Sequence, residues 1–325
     1  MADISSNLNT NAQIGIPANK EDSRKIFYKK LREQKELVFI VLPFLILLLI
    51  FSYIPLWGWI MAFQDYKPAL GIRGSQWVGL QNFKMLFEDA TFYQAIRNTL
   101  GISLLKYVIG FVSSITLAVL INEVRNIKFK KTVQTISYLP HFVSWVVAAS
   151  IVLNVLSPEG IINDILLKLH VVKESINFMG IPQLFWPIMA ISDMWKEVGW
   201  NSIIYLAAMT AIDNELYEAA SIDGAGRLRK IFSITLPSIV PTIKILLILS
   251  AGWILNAGFE QVFLLSNPMV IDYSQTLELY VYNYGIPMGR FSFATAAGIF
   301  NSVVSLVLVT FANRLSKAVS GESAF

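Results

Sequence analysis

The sequence contains no cysteine, which excludes disulfides, thiolate metal sites and cysteine nucleophiles. It has two histidines, His141 and His170, too few and too far apart to suggest a metal centre. No Gly-x-x-x-x-Gly-Lys-Ser/Thr phosphate loop occurs, so the usual nucleotide cradle is missing. Charge is scarce as well. Only 15% of the 325 residues are Asp, Glu, Lys or Arg, against about a quarter in a soluble domain. Hydrophobic residues make up 55% of the chain and come in long blocks. Runs of about 20 apolar residues match the roughly 30 Å hydrocarbon core of a bilayer.

Six such runs are predicted as membrane spans, at residues 37–61, 100–121, 133–156, 184–209, 243–265 and 293–315. Residues 1–22 are polar, without apolar periodicity, and read as a disordered tail. Arg24, Lys25, Lys29, Lys30, Arg32 and Lys35 follow. The first apolar run is too deep in the chain and too long for a signal peptide, so it reads as a retained span. Trp57 and Trp59 at its end suit a membrane interface.

Six spans put both termini on one side, and Lys and Arg counts orient the chain. One set of connections holds the basic N-terminal stretch, then Arg125, Lys128, Lys130 and Lys131, then Arg227, Arg229 and Lys230, then Arg314 and Lys317. The other side holds Lys168, Lys173 and Arg290, plus a mixed first loop, residues 64–98, with a short helix near 80–87. Both termini are therefore predicted to be cytoplasmic. The fold class is all-α: a polytopic helix bundle, with tails at 1–35 and 317–325 flanking a membrane-spanning body at 36–316.

Residues 213–237 form the most informative connection. Asp213 reads as an N-cap and Glu215 sits in the first turn, where the helix dipole favours an anion. Gly224 and Gly226 allow a sharp turn, after which Leu228, Ile231, Phe232 and Leu236 recur at helical spacing until Pro237 ends the helix. Pattern alone allows two readings of this elbow: an amphipathic loop resting on lipid headgroups, or a docking element.

The run Glu218-Ala219-Ala220, then Asp223-Gly224-Ala225, then Phe232, Ile234, Leu236 and Pro237, resembles the E-A-A signature of binding-protein-dependent ABC importer permeases. Val78-Gly79-Leu80-Gln81-Asn82-Phe83, Asn98-Thr99-Leu100 and Tyr138-Leu139-Pro140-His141 are similar to the maltose-type sugar permeases. Residues 139–163 resemble the branch serving complex oligosaccharides such as alginate or pectin fragments. The resemblance covers residues 35–315 or so. It implies that the elbow is a coupling helix docking on a cytoplasmic ATPase. It further implies two ATPase subunits that bind ATP and Mg, a second permease (usually a different chain), and an extracytoplasmic sugar-binding protein. This chain would then be a non-catalytic part of the bacterial inner membrane, with no cofactor of its own and no nucleic-acid partner.

Two spans carry polar residues that suit a substrate path. In the fourth, Asp193, Trp195, Lys196, Glu197, Trp200 and Asn201 interrupt an apolar run, and ionisable groups at such depth face a bundle interior or a wet cavity. Asp193 and Lys196 could neutralise each other at i, i+3. In the fifth, Trp253, Asn256, Glu260 and Gln261 are polar or aromatic, and the first three would share one helical surface, either lining a sugar path or bonding helix to helix. Lys106 and His141 read as snorkelling or interfacial groups. The rival class is an ion-coupled secondary transporter of sugars using Glu260 or Asp193. It leaves the elbow without a purpose.

Overall fold

The computed structural model describes residues 34–251 and 254–320. The polar tail, the basic stretch before Gln34 and Trp253 lie outside the described residues. The chain divides after Gly58 into two units. In the first, α1 (Lys35–Leu48) carries Pro43 and continues into a π turn at Leu49–Tyr53. This is the first predicted span.

The second unit opens with a short antiparallel pair, β1 (Gln64–Asp65) and β2 (Gln76–Trp77), in the register Gln64 to Trp77. The sequence pattern did not foresee this pair. The short helix predicted in the same loop is α2 (Gln81–Glu88). Buried Asn82 ties the loop together by donating to the carbonyls of Ala62 and Gln64 at 2.9 and 3.1 Å.

The body follows. Helix α3 (Ala90–Glu123) is capped by Asp89, which also accepts from the hydroxyls of Tyr280 (2.6 Å) and Tyr284 (3.1 Å). Burial would raise the Asp89 carboxyl. The Tyr280 hydroxyl and the Thr91 backbone N–H outweigh it and hold the group below its ordinary value. Next come α4 (Ile127–Tyr138), a 3-10 turn at Leu139–Phe142, α5 (Trp145–Val155) and α6 (Ile161–Lys168). Then come α7 (Phe185–Thr210) and α8 (Asn214–Ile222). After the turn, α9 (Arg227–Lys230) passes through a π turn, Ile231–Thr235, into α10 (Leu236–Ala251). The chain ends with α11 (Phe259–Leu265), α12 (Leu277–Gly285) and α13 (Phe291–Ser320).

Among the described residues, four helical stretches are long and apolar enough to cross a membrane, and a fifth arises if α4 and α5 are one broken span bent by 104°. Helix α7 matches the fourth predicted span in length, but Asp193, Lys196 and Glu197 sit at its centre.

Two expectations need correction. The spans predicted at 133–156 and 243–265 are not continuous helices. The first breaks between α4 and α5, and the second is not helical over residues 254–258 and resumes at Phe259. Pro237 does not end the elbow's second arm either. It sits inside an unbroken helical run, because the wider π turn just before it accommodates the proline ring and its missing N–H.

Three apolar clusters mark levels along the bundle. Leu86, Phe92, Leu277, Tyr280 and Phe293 join the start of α3 to α12 and α13. Ile102, Phe185, Met189, Val262 and Leu279 form the middle level. Ala118, Ile121, Tyr205, Met209 and Ile239 join the ends of α3 and α7 to the start of α10, next to the elbow. At the first level Asn98 donates to the carbonyls of Asp272 and Gln275, both at 3.0 Å, and Thr99 accepts from the Leu277 N–H. Helices α4 and α7 touch backbone to side: a methyl added at Gly199 would fall inside the Ser137 carbonyl.

Gly199→Leu must push α4 away from α7. Overpacking of this kind costs about 1–3 kcal/mol, so the variant should melt at a lower temperature in detergent, and an unshifted transition would show that the two helices are free to separate there.

Candidate functional site

Two breaks in the membrane-level helices organise the polar interior. A broken helix exposes backbone groups that hydrocarbon cannot satisfy, so protein groups must meet them. At the first break the freed His141 carbonyl accepts from the Lys196 ammonium at 2.9 Å, and that ammonium also meets Glu197 at 2.8 Å. Glu197 in turn contacts His141 Nδ1 at 2.6 Å, and the His141 ring stacks on Trp200 with centroids 4.3 Å apart. Lys196 is buried and lies 5.4 Å from the centroid of the Trp145 ring.

At the second break the Ala257 carbonyl accepts from Lys106 at 3.1 Å. Lys106 also donates to Gln261 Oε1 at 2.9 Å and pairs with Asp193 at 2.8 Å. Gly258 has φ +86°, and a Cβ there would come 3.0 Å from the Lys106 ammonium, so glycine serves both the turn and the approach. Asn256 accepts from the Gly258 N–H at 2.9 Å, which makes it a turn residue.

These contacts correct three expectations. Asp193 pairs with Lys106 across helices, and Lys196 pairs with its neighbour Glu197, so the two do not neutralise each other. Lys106 and His141 are bonded inside the bundle and do not snorkel. Asn256 and Glu260 do not share one helical surface, because the break separates them. Glu260 is exposed in the first turn of α11. Gln261 is fully buried, and its amide donates to the Met189 carbonyl and the Ser192 hydroxyl at 2.8 and 2.9 Å.

Between α3, α7 and α10 lies a cavity of about 490 Å³, lined by Ser103, Tyr107 and Ser114 of α3, Asp193 and Asn201 of α7, and Asn256. The Ser103 and Ser114 hydroxyls are buried without any partner, so the cavity is built to hold polar matter. Trp195 and Trp200 are partly exposed on α7. Sequence reasoning missed Ser103, Ser114 and Tyr107, since lone hydroxyls in an apolar run carry no pattern.

The elbow is as the sequence predicts in its first half. Asp213 caps α8 by accepting from the Glu215 N–H at 2.9 Å. The helix ends in a Schellman turn: Gly224, at φ +75°, donates to Ser221, and Ala225 donates to Ala220 at 2.8 Å. The two arms are tied by Tyr217 to Thr235 (2.9 Å) and by Lys230 to Ser221. Leu216, Ile222, Leu228 and Phe232 lie uncovered, with Ile222 88% exposed. Glu218, Ala219 and Asp223 are also exposed, whereas Ala220 and Ala225 are half-buried.

A chain of membrane-length helices with a polar interior and such an elbow has the form of a transport subunit. The profile of the family described as "binding-protein-dependent transport system inner membrane component" matches residues 110–321. The chain belongs to that family, and it is a permease subunit and not an enzyme. It is 46% identical over 307 residues to the polygalacturonan/rhamnogalacturonan transport system permease protein YteP of Bacillus subtilis (strain 168), covering 94% of this chain and 95% of that one. A solved bacterial ABC transporter that imports the acidic polysaccharide alginate contains a chain matching with TM-score 0.83 and 42% identity, over 90% of this chain and 99% of that one. A second structure of a bacterial alginate ABC transporter, in complex with an alginate pentasaccharide-bound periplasmic protein, matches with TM-score 0.82 and 41% identity, over 91% and 99%.

Removing the Lys106 charge strands Asp193, Gln261 and the Ala257 carbonyl together. Lys106→Met should therefore destabilise the bundle by about 3–5 kcal/mol. The double variant Lys106→Met with Asp193→Leu should recover much of that loss. Melting curves of the three proteins check this, and equal loss in single and double variants would show that the pair is not what holds the break.

Proposed function

We propose that this chain carries oligosaccharides into the cytoplasm as one permease of an ABC importer, driven through residues 213–237 by partner ATPase subunits. The observation that carries the reading is the elbow. A capped, Schellman-turned helix with four uncovered apolar side chains stands at one end of the bundle, and such a patch marks a protein contact. Glu218, Ala219, Ala220, Asp223, Gly224 and Ala225 form its first arm and turn, and Phe232 and Pro237 its second. Together they correspond to the E-A-A signature. ATP and Mg are bound by the ATPase subunits, because this chain has no phosphate loop.

The remaining parts follow from the same assembly. A second permease, two ATPases and an extracytoplasmic binding protein complete it, and the positive-inside pattern puts both termini in the cytoplasm. The sugar path runs past Asp193, Trp195, Lys196, Glu197, Asn201, Asn256, Glu260 and Gln261, with Trp253 in the same segment. Rings and hydroxyl-bonding groups suit a sugar there. Relatives named for polygalacturonan, rhamnogalacturonan and alginate support acidic oligosaccharides, alginate- or pectin-like, as the cargo. An ion-coupled secondary transporter is disfavoured by the family itself.

The test is co-purification and transport. The tagged chain should bring ATPase subunits with it in mild detergent. Gly224→Pro destroys the positive-φ turn without touching a span, so it should uncouple ATP hydrolysis from uptake while the protein still inserts. Normal uptake by a Gly224→Pro, Glu218→Ala double variant would sink the coupling role.

A further inference from the structure

A second cavity lies apart from the polar path, between the facing stripes of α12 and α13. Its volume is about 660 Å³, within the range of roughly 300–1,000 Å³ typical of small-molecule sites. On α12 its wall is Glu278, Tyr282 and Gly285, one helical face; on α13 it is Phe291, Thr295, Gly298 and Asn301, again one face. Trp59 and Phe259 complete the rim. The hollow exists because the facing positions are small: Gly285 meets Ala294, and a Cβ added at Gly298 would meet nothing within 4 Å.

The unmet polar atoms of this cavity are acceptors, beside the donors that the Tyr282 hydroxyl and the Asn301 amide carry. Glu278 Oε2 and Asn301 Oδ1 are buried acceptors without any partner. Thr295 and Ser302 have already given their protons to the Phe291 and Gly298 carbonyls, at 2.7 and 3.0 Å, so their oxygens also remain as acceptors. An unmet buried acceptor costs about 1–3 kcal/mol. A ligand that fits must therefore bring donors, and it must also present apolar faces to Trp59, Phe259, Tyr282 and Phe291. A lipid chain satisfies the rings and leaves the acceptors empty. A bare cation satisfies acceptors but fills little of the volume.

We infer that this cavity binds a sugar ring through its hydroxyl edge, as a subsite separate from the path along α7. The inference rests on the oligosaccharide reading above and adds a place. Phe293 of α13 packs with Phe92 at the start of α3, whereas the elbow joins α10 beside Ile121 at the end of α3, so the first turns of α13 lie remote from the elbow. In an importer this is the half that substrate reaches first. The subsite would receive a ring on arrival, with its hydroxyls meeting acceptors and its C–H faces meeting the aromatic rim.

The test uses the whole transporter in proteoliposomes with labelled galacturonate trimer. Gly298→Leu fills the hollow at a helical position where glycine is not required, and Glu278→Gln removes the acceptor charge at constant size. Gly298→Leu should raise the half-saturating trimer concentration for uptake about ten-fold, a change worth about 1.4 kcal/mol, and Glu278→Gln should raise it in the same direction with ATPase subunits still co-purifying. If Gly298→Leu does not assemble, Glu278→Gln decides alone. Wild-type concentration dependence in the assembled variants overturns the inference. So does loss of a co-purifying phospholipid from Gly298→Leu with uptake unchanged, which would make lipid the occupant. A wild-type complex that assembles but imports no oligosaccharide would sink the parent function too, which separates the two failures.

Discussion

Two lysine ammonium groups, each bonded to a backbone carbonyl at the point where a membrane-level helix breaks, are what the interior of this bundle depends on. Lys196 meets the His141 carbonyl and Lys106 meets the Ala257 carbonyl. Both are balanced by carboxylates on the same helix, Asp193 and Glu197, one turn apart on α7. In water a broken helix end is solvated at little cost, whereas in hydrocarbon each unmet group costs several kcal/mol. A charge alone would be worse. Only the combination of broken backbone, ammonium and counter-charge is tolerable at that depth. Helix α7 therefore acts as a keel: it holds both breaks from one side, and Gly199 lets it approach α4 closely enough to do so.

The same arrangement links the elbow to the interior. The elbow's second arm runs without interruption through the π turn into α10, which ends at Ala251, and the Lys106 clamp lies further on at Ala257. One helical run thus starts at an exposed apolar elbow and leads toward the ion-paired break. A push on the elbow would travel along α10 toward the break beside Asp193 and the polar cavity. Packed interfaces respond to such a push by switching between discrete arrangements rather than by bending.

Much of this was legible in the sequence, and the illegible part has a common cause. Apolar run length found the spans because it reports burial in lipid, which is additive along the chain. Asp213 and Gly224 were legible because caps and left-handed turns are local. The breaks were not. Hydropathy is blind to a change of direction, and Pro140 and Gly258 were the only marks, each common in unbroken membrane helices. Lys106 and His141 were misread for a related reason: their partners, Asp193 and Glu197, stand 87 and 56 residues away by residue number. The i, i+3 rule sees only neighbours on one helix, so it offered Lys196 to Asp193 when the counter-charge lay across the bundle.

The commitment of the lysines also bears on what the path can hold. Lys106 has three protons and three partners, Asp193, Ala257 and Gln261, so it presents no spare donor to the cavity it lines. A free ammonium in a low-dielectric cavity would bind an anionic sugar strongly, since charge-assisted hydrogen bonds are about twice as strong as neutral ones. Conduction requires binding that is favourable enough to enter and weak enough to leave. A wall of hydroxyls, amides and already neutralised charges meets that condition for a many-hydroxyl cargo, acidic or not. The pairing that makes the broken spans tolerable in the membrane is then the same pairing that leaves the cavity without a free ammonium to trap an anion.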